Sequence, residues 1–344
     1  MKRKPGPVLA LAPFLLALFL PAFAAVQATP PATPKDEEAK YQYLRDAANA
    51  VVGLKVKALA NARSAATLGI ERFGSGAVIE SGLVLTIGYL VLEADQVEVL
   101  TPQGRAVPAV VTAYDHATGF GLVRPLAPLD VKPIKLGNSG RIEPQHRMLV
   151  AAAGGEDSLS VATVVSRRPF AGYWEYLLDS AIYTSPARPD FGGAALIDRH
   201  GELVGIGSLF VMDSETPGER LPGNMFVPID LLKPILAEMI ATGRQKAGVR
   251  PWIGLNSMEE DGRLKVLRVT KESPADKAGI EPGDIILALS GEKVEKLDDF
   301  YRRLWSAGAP GVEVTLKVLK GTEVRELRIR SMDRFDHLRK KPTI

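Results

Sequence analysis

The chain has 344 residues, a formal net charge of +3, 46% hydrophobic and 24% charged residues, which suits two or three compact units with sizeable cores. No Lys/Arg cluster is interleaved with aromatics, so nucleic acid is not an expected partner, and no cofactor is implied. The absence of cysteine excludes disulfides, thiolate metal sites and cysteine nucleophiles, and the scattered His116, His146, His200 and His337 make no metal-ligand spacing.

At the N-terminus Lys2, Arg3 and Lys4 precede an apolar run from Val8 to Leu20, interrupted by Pro13, and then the small residues of 21–28. This reads as a secretory signal peptide over 1–28, cleaved after Ala24 or Ala28, and predicts a periplasmic or secreted protein. The competing reading is an uncleaved anchor that would hold the chain at a membrane. Residues 29–41 are proline-rich and then charged, which predicts a mobile linker.

From about residue 50 to 228, short runs rich in Val, Ile and Leu alternate with glycine and polar turns: GAVIE, GLVLTI, DQVEVL, PAVVTAY, RMLVAAA, SVATVVS, AALID and ELVGIGSLF. Runs of this kind read as strands, and many of them in series predict an all-β barrel or sandwich. Over 229–243, Leu231, Leu232, Ile235, Leu236, Met239 and Ile240 recur at helical spacing, with Pro234 in the first turn or at a kink and Gly243 as the stop. Together these segments define one domain over 42–244. Residues 251–332 change to an α+β pattern with strand-like LKVLRV, DIILALS, VEVTLKVL and VRELRIR and helical SPADKAG and LDDFYRRLW, a second domain. Residues 333–344 read as a charged tail.

The landmarks, taken in order, resemble a known family. Gly74-Ser75-Gly76-Ala77-Val78-Ile79 resembles the opening GSGF-I strand of the HtrA/DegP-type trypsin-like serine proteases. Val84-Leu85-Thr86, followed by Leu92-Glu93-Ala94, resembles ILTNNHVV-A. Asp115-His116-Ala117-Thr118 resembles D-P-x-T-D, and Leu136-Gly137-Asn138-Ser139 resembles LGDS. Phe191-Gly192-Gly193 resembles NSGG, Gly201 to Ile206 resembles GEVIGI, and Met225-Phe226-Val227-Pro228 resembles FAIP. Trp252-Ile253-Gly254-Leu255 resembles the YLGV carboxylate-binding segment of a PDZ domain. Ser273 to Gly279 and Pro282 to Ile286 resemble SPAAKAG and PGDVI. The resemblance covers roughly residues 42–330 and implies a mainly β chain: a trypsin-like double β-barrel followed by an α+β PDZ domain.

A serine protease needs a nucleophilic hydroxyl, a histidine base, an orienting carboxylate and an oxyanion hole. Counting along the resembling segments puts Tyr89 at the base, Gly119 at the carboxylate and Phe191 at the nucleophile. A phenol with a pKa near 10 is a poor proton acceptor at neutral pH. Glycine has no side chain, and a phenylalanine cannot attack a carbonyl. Pro189 stands where the oxyanion hole needs a main-chain N–H, and proline has none. The resemblance therefore implies a protease with a degenerate triad. Of the other groups that could act, His116 reads as a solvated turn residue and His200 as a hairpin-turn residue. His146 reads as a loop or strand-start residue, and Ser185 has no histidine assigned near it.

What the resemblance leaves is recognition. PDZ domains bind C-terminal or extended peptides by strand addition. The N–H groups of Ile253, Gly254 and Leu255, in the segment opened by Trp252, would receive a terminal carboxylate. Ile253 and Leu255 would line the side-chain pocket, and Phe300 and Leu304 would form its other wall. The expected function is an exported, inactive protease homologue. It would bind polypeptide C-termini or unfolded segments as a scaffold, chaperone or regulator in envelope protein quality control. Active HtrA-type proteases are among its candidate partners, and the family implies a homo-oligomer, often a trimer. The alternative is an active serine endopeptidase with non-standard catalytic residues.

Overall fold

The structure, a computed structural model, describes residues 34–340. The signal peptide expected over 1–28 lies outside the described residues. A helix spans Pro34–Ala48, so most of the segment expected as a mobile linker is helical instead. Arg45 lies in its last turn, where a cation complements the helix dipole.

The first barrel contains β1 (Val51–Ala58), β2 (Glu71–Val78), β3 (Val84–Ile87), β4 (Ala94–Leu100), β5 (Ala106–Tyr114) and β6 (Phe120–Pro125). They close in the order β1-β2-β3-β6-β5-β4, every pair antiparallel. Strand β1 shows why it takes this place. Leu54, Val56 and Ala58 point into the core while Lys55 and Lys57 point out. Lys55 stands opposite Glu98 on β4, as Leu54 does Val99. Strand β3 is buried along its whole length, as the unbroken VLTI run demands.

The second barrel contains β7 (Arg147–Ala151), β8 (Leu159–Gly172), β9 (Tyr176–Ser185), β10 (Ala195–Ile197), β11 (Leu203–Val211) and β12 (Gly223–Pro228), closed in the order β10-β11-β12-β9-β8-β7. Strands β8 and β9 extend well past the barrel as a hairpin whose tip is Tyr173-Trp174-Glu175. The single helix expected over 229–243 is two pieces, a 3₁₀ turn at Ile229–Leu231 and an α-helix at Leu236–Thr242. Pro234 separates them, since it donates no N–H and disfavours helical backbone at the residue before it. Gly243 ends the second piece in the left-handed conformation, φ 81°.

The C-terminal domain contains β13 (Pro251–Trp252), β14 (Leu255–Glu260), β15 (Arg263–Val269), β16 (Ile285–Leu289), β17 (Glu292–Lys293), β18 (Glu313–Lys320), β19 (Glu323–Arg330) and β20 (Met332–Asp333). Its main sheet runs β14-β15-β16-β18-β19, with β17 beside β16, while β13 pairs with β20. Ser273 Oγ accepts from the Asp276 N–H at the start of the helix Pro274–Lys277. The helix Leu297–Ser306 buries Leu297, Phe300, Tyr301 and Leu304, an i, i+3, i+4, i+7 stripe. The fold is thus a trypsin-like domain followed by a PDZ domain.

Within the expected charged tail, residues 333–337 take regular structure. Asp333 lies on β20, and Arg334–His337 forms a helical turn capped by the Asp333 carboxylate. Asp333 pairs with Arg244 at 2.6 Å, and the Arg339 N–H donates to Glu93 of the first barrel at 2.6 Å. The apolar ring of Phe335 and the half-buried pairings draw the segment onto the barrels.

Candidate functional site

The positions carried over for catalysis meet at the seam between the barrels. Tyr89 sits in the 3₁₀ turn Gly88–Leu90 directly after β3. The Gly88 N–H donates to the Gly119 carbonyl at 2.6 Å, which sets residue 119 beside that turn. The loop carrying Gly119 is held by Asp115, whose carboxylate accepts the Thr118 N–H at 2.7 Å and hydroxyl at 2.6 Å. The Tyr89 phenol donates to the Ser208 carbonyl on β11 at 3.0 Å. Its oxygen also lies 3.0 Å from where a Cβ on Gly192 would stand, one residue past Phe191. Burial raises the Tyr89 pKa well above the usual phenol value.

Gly119 has φ +82°, and a Cβ there would stand 3.1 Å from the Tyr176 hydroxyl. That hydroxyl donates to the Thr118 carbonyl at 2.6 Å, so the space beside residue 119 is filled by an anchored ring. Phe191 is half-buried, and its carbonyl accepts the Ala194 N–H at 3.0 Å. Ahead of it, the Asn224 side chain accepts from the Arg188 N–H and donates to the Arg188 carbonyl, while Arg188 forks onto Asp190. Pro189 is exposed between them and offers no N–H. At these positions stand a high-pKa phenol, an empty side chain and a hydrocarbon ring, none of which takes up a proton or attacks a carbonyl at neutral pH.

Other candidates for chemistry are placed elsewhere. Ser185 Oγ donates to the Pro222 carbonyl at 3.1 Å. Among the described residues no histidine ring is hydrogen-bonded to a serine or threonine hydroxyl. His200 lies in the exposed turn between β10 and β11, and His146 just precedes β7. His116 corrects the expectation of a solvated turn residue. Its ring meets Tyr114 edge-on, centroids 4.5 Å apart, and Phe335 at 6.1 Å. Both ring nitrogens are sealed from solvent without a partner. Burial, with Arg334 and Arg244 nearby, holds its pKa well below the usual histidine value. A cavity of about 50 Å³ opens beside it, lined in part by Arg250, Trp252, Glu175 and Arg334. No cluster of His, Asp and Glu among the described residues could hold a metal ion.

The second candidate site is the segment Trp252-Ile253-Gly254-Leu255. Gly254 has φ +89°, and a Cβ there would stand 2.2 Å from the Ser273 Cβ, so only glycine lets the chain turn here. The turn aims the N–H groups of Ile253, Gly254 and Leu255 at one point, and a carboxylate occupies it. Glu175, at the hairpin tip, accepts from Ile253 at 3.1 Å, from Gly254 at 2.6 Å and from Leu255 at 2.8 Å. The Tyr173 carbonyl accepts the Ser257 N–H on β14 at 2.9 Å. Tyr301 accepts the Glu175 N–H at 3.0 Å and donates to the Gly172 carbonyl at 2.8 Å. Leu177 joins Ile253, Leu255, Phe300 and Leu304 in one apolar cluster. Trp252 is buried against His337, ring centroids 4.9 Å apart. Burial pushes the Glu175 carboxyl up to about 7, against the pull of the N–H donors and Arg334.

The sequence reading had gathered the loop and the Phe300 and Leu304 wall, and these do converge. It missed Tyr173, Glu175 and Leu177. Nothing in Gly-Tyr-Trp-Glu-Tyr marks a ligand, because a glutamate among aromatics carries no signal of the distant N–H groups it meets.

A family described as a trypsin-like peptidase domain matches residues 74–206, and one described as a PDZ domain matches 251–330. A probable periplasmic serine endoprotease DegP-like of Hahella chejuensis is 26% identical over 266 residues, covering 72% of this chain and 54% of the relative. The serine endoprotease DegS of Haemophilus influenzae is 27% identical over 245 residues, covering 66% of this chain and 67% of the relative. The chain thus spans little more than half the length of the DegP-like relative. Among solved structures, the HtrA-type protease AlgW with decapeptide is 19% identical with a TM-score of 0.52, covering 88% of this chain and 99% of that one. At that identity the likeness speaks to the fold.

Proposed function

From a trypsin-like double barrel joined to a PDZ domain, similar to HtrA-type serine proteases, we propose that the chain is an exported protease homologue that recognises polypeptides without hydrolysing them. It binds peptide C-termini or unfolded segments through the PDZ domain. It acts as a scaffold, chaperone or regulator of envelope protein quality control, with active HtrA-type proteases among its partners. The observation that carries this reading is the bond from the Tyr89 phenol to the Ser208 carbonyl, which fills the place of the catalytic base with a donor. Phe191 and Pro189 support it, since a protease of this kind needs a hydroxyl at the first and an N–H at the second.

The test is incubation of the purified chain with casein and, separately, with a fluorophosphonate probe. The expected result is no cleavage and no label. A serine that is labelled in the folded but not the heat-denatured chain overturns the reading in favour of an active endopeptidase.

A further inference from the structure

We propose that the PDZ groove is closed in cis by the β8–β9 hairpin, and that a peptide with a free C-terminal carboxylate and an apolar last residue binds by displacing it. This rests on the reading of the PDZ domain as a peptide-binding module.

The hairpin presents the chemistry that such a ligand would bring. A terminal carboxylate needs converging main-chain N–H donors, and Glu175 already takes those of Ile253, Gly254 and Leu255. An added strand needs a main-chain partner on β14, and the Tyr173 carbonyl already accepts from Ser257. The last side chain needs an apolar pocket, and Leu177 packs with Ile253, Leu255, Phe300 and Leu304 in the core of that domain. Carboxylate, strand contact and apolar side chain come from one hairpin of the second barrel.

Closure also ties two parts of the chain together. Tyr301, on the wall helix of the groove, clamps the hairpin through both Gly172 and Glu175. Arg334 donates to the Trp174 carbonyl at 3.1 Å. A peptide entering the loop therefore removes Glu175 from its donors and loosens the PDZ domain from the second barrel. Competition with a tethered ligand weakens the apparent affinity by the fraction of time the groove is open. A groove open one-tenth of the time or less makes that factor about tenfold or more.

The experiment is a fluorescence-anisotropy titration of the purified chain. The probe is a fluorescein-labelled decapeptide ending in leucine, chosen because Leu177 fills the pocket in cis, as free acid and as amide. It is run on the wild-type chain, Glu175→Ala and Glu175→Gln. The expected result is at least tenfold tighter binding of the free acid to Glu175→Ala than to wild type, with no such gain for the amide. Equal affinity of wild type and variants for the free acid overturns closure in cis and leaves the peptide reading standing. No binding to any of the three, with both variants folded, overturns the peptide reading, and the loop is then a permanent joint between domains. Hydrogen exchange of the wild-type chain covers the case of a variant that does not fold. The amides of Gly254 and Ser257 are expected to be protected without peptide, and fast exchange there overturns closure.

Discussion

The phenol of Tyr89 donates a 3.0 Å hydrogen bond to the main-chain carbonyl of Ser208, linking a turn of the first barrel to a strand of the second. A base at this point has to leave its lone pair free for a nucleophile. Here the group is a donor spent on a carbonyl, and its role is to join the barrels. Tyr89→Phe should therefore lower stability by about 0.5–1.5 kcal/mol, the net value of one such bond. On the proposed reading it should give no cleavage of casein, as expected of the wild-type chain. Urea unfolding of both proteins measures the first effect, and a gain of proteolysis would contradict the second.

On the proposed assignment of positions 89, 119 and 191, restoring the triad should fail for two structural reasons. Tyr89→His, Gly119→Asp and Phe191→Ser together supply the missing groups, but residue 119 sits at φ +82° with the Tyr176 hydroxyl 3.1 Å from its Cβ position. Pro189, at the proposed oxyanion position, still offers no N–H, a loss worth a factor of about 10²–10³ in rate. Adding Pro189→Gly should raise whatever activity the triple variant has. Peptide-hydrolysis rates of the triple and quadruple variants give the comparison, and full activity in the triple variant would show that residue 189 has no part in an oxyanion hole.

Gly254→Val should be severely destabilising to the docked arrangement. A Cβ there stands 2.2 Å from the Ser273 Cβ, and φ +89° is strained for a β-branched residue. Strain of about 1–3 kcal/mol adds to overpacking of similar size. The turn must then open and release Glu175 from its donors. Thermal unfolding should show the loss, and a variant melting with the wild type would mean that the turn adapts freely.

Stability should depend on pH through Glu175. Burial lifts its carboxyl from the ordinary 4.5 to about 7, so the docked state binds a proton more tightly than the released state. The sign follows from that. Docking is fully favoured below pH of about 4.5 and weakens as pH rises through about 7, by about 3 kcal/mol in all. Arg334 and the Tyr301 phenol are the groups coupled to it, and burial raises the phenol far out of this range. The wild-type chain should therefore lose stability relative to Glu175→Gln between pH 5 and 7.5. Its peptide affinity should rise over the same interval, because displacement releases the proton. Parallel pH profiles for the two proteins would remove Glu175 as the cause.

The C-terminal segment offers a separate check. Asp333 caps the turn Arg334–His337 and pairs with Arg244, and that turn brings Phe335 against His116. Asp333→Ala should cost about 1–2 kcal/mol, the usual value of a lost cap and a partly buried ion pair. It should also let the His116 pKa rise toward its ordinary value as water reaches the ring. Imidazole proton shifts followed by NMR against pH would show an unchanged His116 if the tail does not seal it.

Local order was written in the residues themselves. Alternating Leu54, Val56 and Ala58 with Lys55 and Lys57 dictates one buried face, and the Leu297, Phe300, Tyr301, Leu304 stripe dictates a helix against a core. Ser273-Pro274 starts a helix because a hydroxyl cap and a preset φ act within one turn. The residue types at 89, 119, 189 and 191 were legible for the same reason, since each is a chemical identity read at a spacing. Closure of the chain in space decided the rest. Glu175 meets Gly254 across 79 positions, and the sequence between them carries no trace of the meeting. Strand β9 went unread, so the hairpin that carries Glu175 had no visible tip. His116 looked solvated until Phe335 arrived from the far end of the chain to cover it. Periodicity and capping act through neighbours a few residues apart. Burial of a lone carboxylate, or of an imidazole, depends on which distant surface comes to lie on it, and only the packed structure supplies that surface.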